Sequence, residues 1–185
     1  MIHLVILQSE ISKKTSLRKF QHSLGIDSLK LAVPNKYFSK IRIGTDSTGK
    51  PFVAGSSLFC SISHSSNLAV AICSRTPVGV DVEAIRKRTK TLLHYISNKK
   101  EISRVSPHLS VTWIWTAKES ILKAVGKGIS YPMKKVRLKI KSGQLFGVIG
   151  TLTWEIYLIK YGHFAIAVAA SKKQKISIKI AKNQL

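Results

Sequence analysis

Two of the few carboxylates in this chain lie two residues apart in the apolar stretch VGVDVE, residues 78–83. The chain has 31 Lys and Arg residues against only eight Asp and Glu. In an extended strand Asp81 and Glu83 project to the same face, while Val80 and Val82 point to the other. Adjacent carboxylates repel each other unless positive charge lies between them. Either a bound cation or nearby Lys and Arg side chains would supply that charge.

A third carboxylate favours the cation. The plainer alternative is a strand end whose two solvated acids are offset by the basic residues 86–88. Glu119, however, falls within WTAKESILK, in the most apolar helical segment of the chain. Its alternative role is a surface salt bridge with Lys123, four residues later, which would contribute less than about 1 kcal/mol. Three carboxylates together suit a hard cation such as Mg²⁺, and no Cys/His cluster has zinc spacing.

Two polar segments have the composition of phosphate-binding loops. The segment SISHSS, residues 61–66, offers hydroxyls, backbone N–H groups and the His64 imidazole. A hydrogen-bonded turn is the alternative, and a hydrolase triad is disfavoured because Ser63 adjoins His64 and no nucleophile elbow is present. The segment TDSTGKP, residues 45–51, adds Lys50 to a glycine turn but lacks the full phosphate-loop pattern.

The elements that must position these residues follow from hydrophobic periodicity and from turn residues. The predicted strands are residues 2–7, 58–63, 67–74, 78–83, 135–140, 145–149, 151–159 and 163–170, with 175–180 as a candidate edge strand. The predicted helices are residues 15–25, ended by Gly25, one or two short helices in 89–105, and 108–128, ended by Gly126 and Gly128. The polar residues 63–66 are expected to form the turn between the second and third strands.

The order of these elements predicts an α+β fold. A strand, a helix and further strands precede residue 75, and a strand, helices and strands follow it. We therefore expect one domain, residues 1–185, built from two similar α/β halves packed side by side as a pseudo-dimer, approximately 1–75 and 76–185.

Composition limits the classes of partner. The formal net charge is +23, so the protein should attract polyanions such as nucleic acid, anionic membranes, phosphorylated small molecules or acidic proteins. The lysines are dispersed, which argues against a basic arm that binds DNA. The apolar start at residues 2–7 predicts a strand rather than a signal peptide, and no stretch is long enough to cross a bilayer. Cys60 and Cys73 are expected to be buried, reduced thiols of a cytoplasmic protein.

Four motifs together resemble a known family. They are GKP at 49–51, SISHS at 61–65, VGVDVE at 78–83 and WTAKESILKAVGKG at 115–128. In this order they are similar to the 4′-phosphopantetheinyl transferases of the longer, single-chain pseudo-dimeric type. The resemblance covers residues 45–135 well and the two ends only by pattern.

The resemblance implies an activity and a metal site. Members of the family transfer the phosphopantetheine arm of coenzyme A to a serine of a carrier protein and release adenosine 3′,5′-bisphosphate. By motif, Asp81, Glu83 and Glu119 would hold Mg²⁺, with Mn²⁺ as a substitute, on the pyrophosphate of coenzyme A. Asp81, Glu119 and Lys123 would be the catalytic residues, with Glu119 as the base for the carrier serine and Lys123 neutralising the leaving group.

The resemblance also implies contacts and partners. Ser63 and His64 would contact the 3′-phosphate of coenzyme A, Lys50 the nucleotide, Lys123 the pyrophosphate and Arg18 a further phosphate. The expected protein partner is an acidic apo acyl or peptidyl carrier protein, with no specific nucleic acid and no membrane. We expect a cytoplasmic monomer. The alternative that the charge leaves open is a basic nucleic-acid-binding protein without enzymatic activity.

Overall fold

The computed structural model describes residues 1–10, 16–35, 37, 42–128 and 130–183. Its strands in chain order are β1 Ile2–Ser9, β2 Ile43–Thr45, β3 Pro51–Val53, β4 Phe59–Ser65, β5 Leu68–Ser74, β6 Val78–Ala84, β7 Arg137–Lys141, β8 Gln144–Ile149, β9 Leu152–Tyr161, β10 Phe164–Ala170 and β11 Ile176–Asn183. Its helices are α1 Leu17–Ala32, α2 Lys90–Ile96, α3 Lys99–Arg104 and α4 Val111–Ala124, with a short 3₁₀ helix at Met133–Lys135.

Two sheets carry these strands. The first has the order β11-β1-β5-β4, in which β11 runs parallel to β1 and the other pairs are antiparallel. The second is antiparallel throughout, with the order β6-β10-β9-β8-β7. Strands β2 and β3 form a separate antiparallel ribbon. The predicted α+β class is confirmed, whereas the division into halves at residue 75 stays a prediction.

The hydrophobic core has three parts that place the sheets between two helices. Apolar side chains of β1 and β5 pack against those of β6 and β10, so the two sheets share a buried layer. The opposite face of the first sheet is covered by α1. The opposite face of the second sheet is covered by α4. Because α1 also packs against β4 and α4 packs against β6, polar residues where these two strands meet lie near both helices.

That junction is formed by β4 and β6 and depends on serine side chains. The backbone N–H groups of Val80, Val82 and Ala84 donate to the hydroxyl oxygens of Ser61, Ser63 and Ser65, at 3.1, 3.2 and 3.3 Å respectively. Alternate residues of both strands therefore face each other along a row that we call the serine seam. Its middle member, Ser63, is buried beside Asp81.

Most predicted elements are confirmed, including the edge strand at residues 175–180, which is part of β11, and two helices within 89–105. Cys60 and Cys73 are both buried and free, as predicted, with their sulfur atoms 3.4 Å apart on neighbouring strands.

Two local predictions were wrong. Gly25 does not end the first helix, because α1 continues to Ala32. A Cβ atom at Gly25 would lie 2.9 Å from Ile62 Cγ2, so the glycine allows α1 to pack closely on β4. Ser63 and His64 lie within β4 rather than in a turn. The turn falls later, at Ser66, whose φ of 53° lies in the left-handed region.

Gly79 sets the distance between β6 and α4, and its substitution should separate them. A Cβ atom at Gly79 would collide with the backbone of α4 at Ser120 and Ala124. We expect Gly79→Ala to cost about 2–3 kcal/mol of unfolding free energy, since backbone cannot yield as a flexible side chain can. Urea unfolding would measure this loss. Gly128→Ala is the control, because its Cβ would make only an ordinary contact, 4.0 Å from Ser130 Oγ, and equal midpoints for both variants would contradict the close-packing role.

Candidate active site

A lysine, an aspartate and a serine from three elements meet at the serine seam. Lys123 Nζ, from the last turn of α4, donates to Asp81 Oδ1 of β6 at 2.7 Å and to Ser63 Oγ of β4 at 2.8 Å. Ser63 in turn donates its hydroxyl hydrogen to Asp81 Oδ1 at 2.8 Å. Lys123 therefore pairs with Asp81 rather than with Glu119, and the salt bridge considered for the surface of the helix is not formed.

Glu119 lies one turn before Lys123 on α4 and is poorly solvated. It is only 8% exposed, and its Oε1 atom is buried with no hydrogen-bond partner among the described residues. The pKa of Glu119 is raised to about 7, chiefly by burial and then by the negative charge of Asp81, against the opposing charge of Lys123. A carboxyl group that gains and loses its proton near neutral pH is suited to general base chemistry.

Glu83 has a cation of its own. Arg88 Nη2 donates to Glu83 Oε2 at 3.0 Å, and the guanidinium lies 5.7 Å from the centroid of the Trp115 ring. Burial, followed by the charge of Asp81, raises the pKa of Glu83, and Arg88 opposes that rise. Of the basic residues 86–88 that could offset the two acids, Arg88 does pair with Glu83. The contacts of Arg88 with Glu83 and Trp115 depend on the path of the chain after β6, which the spacing of residues in the sequence does not reveal.

The three carboxylates are close enough to influence each other's charge, since Asp81 and Glu83 both raise the pKa of Glu119. No three His, Cys, Asp or Glu side chains in the described part of the chain are arranged as a ready metal site. Asp81 Oδ2 and Glu119 Oε1 are nevertheless both buried without a partner among the described residues. Unpaired, buried carboxylate oxygens are costly, and a hard cation binds such donors. The donor set of Asp81 and Glu119 therefore fits Mg²⁺.

A cavity of about 440 Å³ opens beside these groups. Its lining includes Gln21, His22, Gly25, Thr45, Gly49, Ile62, Ser63, His64, Asp81, Glu83 and Lys123. Burial lowers the pKa of His64, and the positive charge of Lys123 lowers it further. His64 lies at the cavity wall, where a bound anion would stabilise the protonated form of its imidazole.

Helix α1 contributes residues to this cavity, although not the one that was predicted. Arg18 is exposed and does not line the cavity, whereas Gln21 and His22, about one turn later, do. These two residues were not predicted from the sequence. Their spacing from Arg18 on one helix was the signal that could have identified them, since residues three and four apart share a face.

Lys50 lines a second cavity of about 170 Å³ that shares Lys123 with the first. Its Nζ donates to the carbonyl of Ala124 at 2.9 Å, at the C-terminal end of α4. Asp46 Oδ1 accepts the backbone N–H groups of Thr48 and Lys50 at 2.8 and 3.0 Å, which fixes the glycine turn of this loop. The loop and α4 are thereby joined next to the site.

The fold and the site together match a family of transferases. Residues 77–169, half of the chain, match the family model of the 4′-phosphopantetheinyl transferase superfamily. The chain therefore belongs to the 4′-phosphopantetheinyl transferase superfamily. The matched region contains the carboxylates Asp81, Glu83 and Glu119, and Lys123.

Curated relatives agree with this assignment. The chain is 35% identical over 112 residues to 4′-phosphopantetheinyl transferase gsp of Aneurinibacillus migulanus, covering 56% of this chain and 44% of the relative. It is 28% identical over 108 residues to a 4′-phosphopantetheinyl transferase of Bacillus subtilis, covering 55% and 48%. It is 41% identical over 81 residues to enterobactin synthase component D of Salmonella austin, covering 40% and 35%.

The chain thus spans less than half the length of each of these three relatives. None of their names indicates nucleic-acid binding, so the comparisons do not support that alternative. Within the described residues, no helix combines the length and the apolar character that crossing a membrane would need.

Proposed function

We propose that this protein transfers the 4′-phosphopantetheine arm of coenzyme A to a serine of an apo acyl or peptidyl carrier protein. The observation that carries the proposal is the meeting of Lys123, Asp81 and Ser63 at one cavity, with Glu119 one turn before Lys123 on α4. Membership of the superfamily supports the same reaction. In this reaction the serine oxygen forms a bond to the β-phosphorus of coenzyme A, the phosphoanhydride bond breaks, and adenosine 3′,5′-bisphosphate leaves.

Glu119 is the proposed base. A serine hydroxyl is a weak nucleophile, so a positioned base that accepts its proton accelerates attack by about 10²–10⁴-fold. With its pKa raised to about 7 in the metal-free protein, Glu119 is there a stronger base than an ordinary carboxylate and is still partly ionised at neutral pH. Its place in the rigid, buried helix α4 would keep the accepting oxygen directed at the nucleophile.

Lys123, Ser63 and His64 are the proposed anion-binding groups. The ammonium of Lys123 lies 2.7 Å from Asp81 Oδ1, where it would neutralise charge that develops on the departing phosphate. Ser63 lies beside it with a hydroxyl that already bridges Lys123 and Asp81. His64 would bind the 3′-phosphate, and Lys50, at the adjoining cavity, would contact the nucleotide.

Asp81 and Glu119 would hold Mg²⁺, or Mn²⁺ in its place, and Glu83 would complete the ligand set. When bound, the cation would polarise the pyrophosphate and stabilise negative charge on the leaving group. The support is the pair of buried carboxylate oxygens on Asp81 and Glu119 that have no partner within the described residues.

The net charge of +23 suits an acidic carrier protein as the second substrate. Opposite charge would speed encounter with the carrier, and this effect would weaken with salt. We further propose that the two α/β halves form a pseudo-dimer within a monomeric, cytoplasmic protein.

Asp81→Ala is expected to reduce transfer at least about 100-fold, because it removes both a carboxylate that faces Lys123 and a proposed cation ligand. The measurement is transfer of labelled phosphopantetheine from coenzyme A to a panel of apo carriers, with Mg²⁺ or with a chelator. The matched control is Asp27→Ala, which removes a surface carboxylate paired with Lys30. Wild-type rates in Asp81→Ala, or full activity in chelator, would count against the proposed site.

A further inference from the structure

Arg88 holds the carboxylate of Glu83 in a partly buried ion pair. The distance from Arg88 Nη2 to Glu83 Oε2 is 3.0 Å, and the two side chains are only 13% and 25% exposed. Surface ion pairs are usually weak because water screens both charges. Here solvent reaches little of either partner, so the contact competes more effectively with any other ligand of Glu83.

Arg88 is itself held in place by α4. Its guanidinium lies over the ring of Trp115, 5.7 Å from the ring centroid, and Trp115 is one turn before Glu119 on the same helix. The chain beside it is anchored as well, because the hydroxyl of Thr112 donates to the carbonyl of Arg86 at 3.1 Å. The arginine is therefore an ordered group fixed by the helix that also carries Glu119.

Asp81 and Glu119, the other two carboxylates of the site, differ from Glu83 in one respect. Asp81 and Glu119 each keep a buried oxygen with no partner among the described residues, whereas no oxygen of Glu83 is in that state. Asp81 and Glu119 thus each offer a cation one unpartnered oxygen, although the other oxygen of Asp81 holds Lys123, while Glu83 is engaged by Arg88. In sequence all three acids look equivalent, and only the structure separates them.

We propose that Arg88 is a positioning residue that engages Glu83 and thereby limits the affinity of this site for divalent cations. The inference rests on the proposed cation site of Asp81 and Glu119. It adds that Arg88 competes with the cation for Glu83. A cation that enters must draw Glu83 away from Arg88, or bind with two protein carboxylates alone. Removal of Arg88 frees the third carboxylate and makes the site more negative, so both effects tighten cation binding.

The test is direct Mn²⁺ binding to the full chain without coenzyme A or carrier, followed by the electron paramagnetic resonance signal of free Mn²⁺. Arg88→Gln is expected to bind Mn²⁺ about tenfold more tightly than the wild type. Lys87→Gln is the matched control, since it removes an equal charge from the adjacent, exposed position and should leave affinity nearly unchanged. Arg88→Lys, which keeps a cation able to pair with Glu83, should stay close to the wild type.

The same comparison in Glu83→Gln protein distinguishes a direct contact between Arg88 and Glu83 from a general effect of the arginine's charge. In Glu83→Gln protein, Arg88→Gln should change Mn²⁺ affinity less than twofold, because the carboxylate that Arg88 engages is gone. A tenfold gain that persists in this background would overturn the proposal in favour of a through-space effect of charge. Equal or weaker binding by Arg88→Gln, or no Mn²⁺ binding by any variant, would also overturn it. Because no transfer is measured, the carrier assay reports separately on the proposed reaction.

Discussion

Glu119→Gln is expected to make the metal-free protein more stable while it removes transfer activity. The Glu119 carboxylate is buried, faces the charge of Asp81 and has one oxygen without a partner among the described residues. Ionising it in the folded protein is therefore unfavourable. Gln has nearly the same shape and carries no charge, so the unfavourable ionisation disappears. The same substitution removes the proposed base and a proposed cation ligand, and transfer should fall by about 10²-fold or more.

The pH dependence of this gain follows from the direction of the pKa shift. Folding raises the pKa of Glu119 from 4.5 to about 7, so between these values the folded protein binds more protons than the unfolded chain. The contribution of Glu119 to stability is consequently greatest below about pH 4.5 and declines as the pH rises through 7. The advantage of Gln should be near zero at pH 4 and reach about 1–3 kcal/mol at pH 8.

Urea unfolding in chelator at several pH values between 4 and 8 would measure this difference. Glu10→Gln is a suitable control because it changes an exposed glutamate, and it should alter stability by less than about 0.5 kcal/mol at every pH. The unfavourable ionisation would be contradicted by a Glu119→Gln variant that is less stable than the wild type at pH 8. It would also be contradicted if the difference in unfolding free energy between variant and wild type were the same at all pH values. Addition of Mg²⁺ should stabilise the wild type and have little effect on the variant.

The sequence was sufficient to predict which strands and helices carry the site. Alternation of Val80 and Val82 with Asp81 placed the acids on one face of a strand, and the valines do lie in the buried layer between the sheets. This succeeded because strand periodicity depends only on the local backbone. The long apolar helix was equally clear, and its end lies before Gly126 as predicted.

Partner choice inside the site could not be predicted in this way. Helical spacing pairs Lys123 with Glu119, yet Lys123 binds Asp81, which is 42 residues away in sequence. The helix lies directly on β6 at Gly79, and this close approach brings the ammonium to the strand. Gly25 failed as a helix end for a related reason, because packing against Ile62 outweighs the modest cost of glycine within a helix.

A buried lysine beside Glu119 was also overlooked, although the sequence contained a signal for it. Lys118 lies four residues after Ile114 and four before Leu122, both of which are fully buried, so it occupies the apolar face of α4. Its Nζ donates to Glu101 Oε2 at 3.0 Å and to the carbonyls of Ile96 and Met133 at 2.6 and 3.2 Å. A lysine on that face needs a carboxylate partner, which comes from a different helix.

Glu101→Ala is accordingly expected to cost about 3–5 kcal/mol of unfolding free energy, because it leaves the Lys118 ammonium buried without its counter-charge. Burial already lowers the pKa of Lys118, and the charge of Glu101 is the main influence that opposes this. The carboxylate also accepts the backbone N–H groups of Leu138 and Asn98 at 2.7 and 3.0 Å. Its loss would therefore loosen α3 and β7 as well as α4.

The double variant Lys118→Met/Glu101→Leu distinguishes the ion pair from simple loss of packing. Without either charge nothing is left buried and unpaired at the two side chains, so the double variant should be less destabilised than the sum of the single variants by about 1–3 kcal/mol. Lys100→Met, an exposed lysine of α3, is the control and should change stability by less than about 0.5 kcal/mol. Additive losses in the cycle would show that the two side chains act independently. Because Lys118 directly precedes Glu119 on α4, variants that lose more stability but remain folded should also lose more transfer activity.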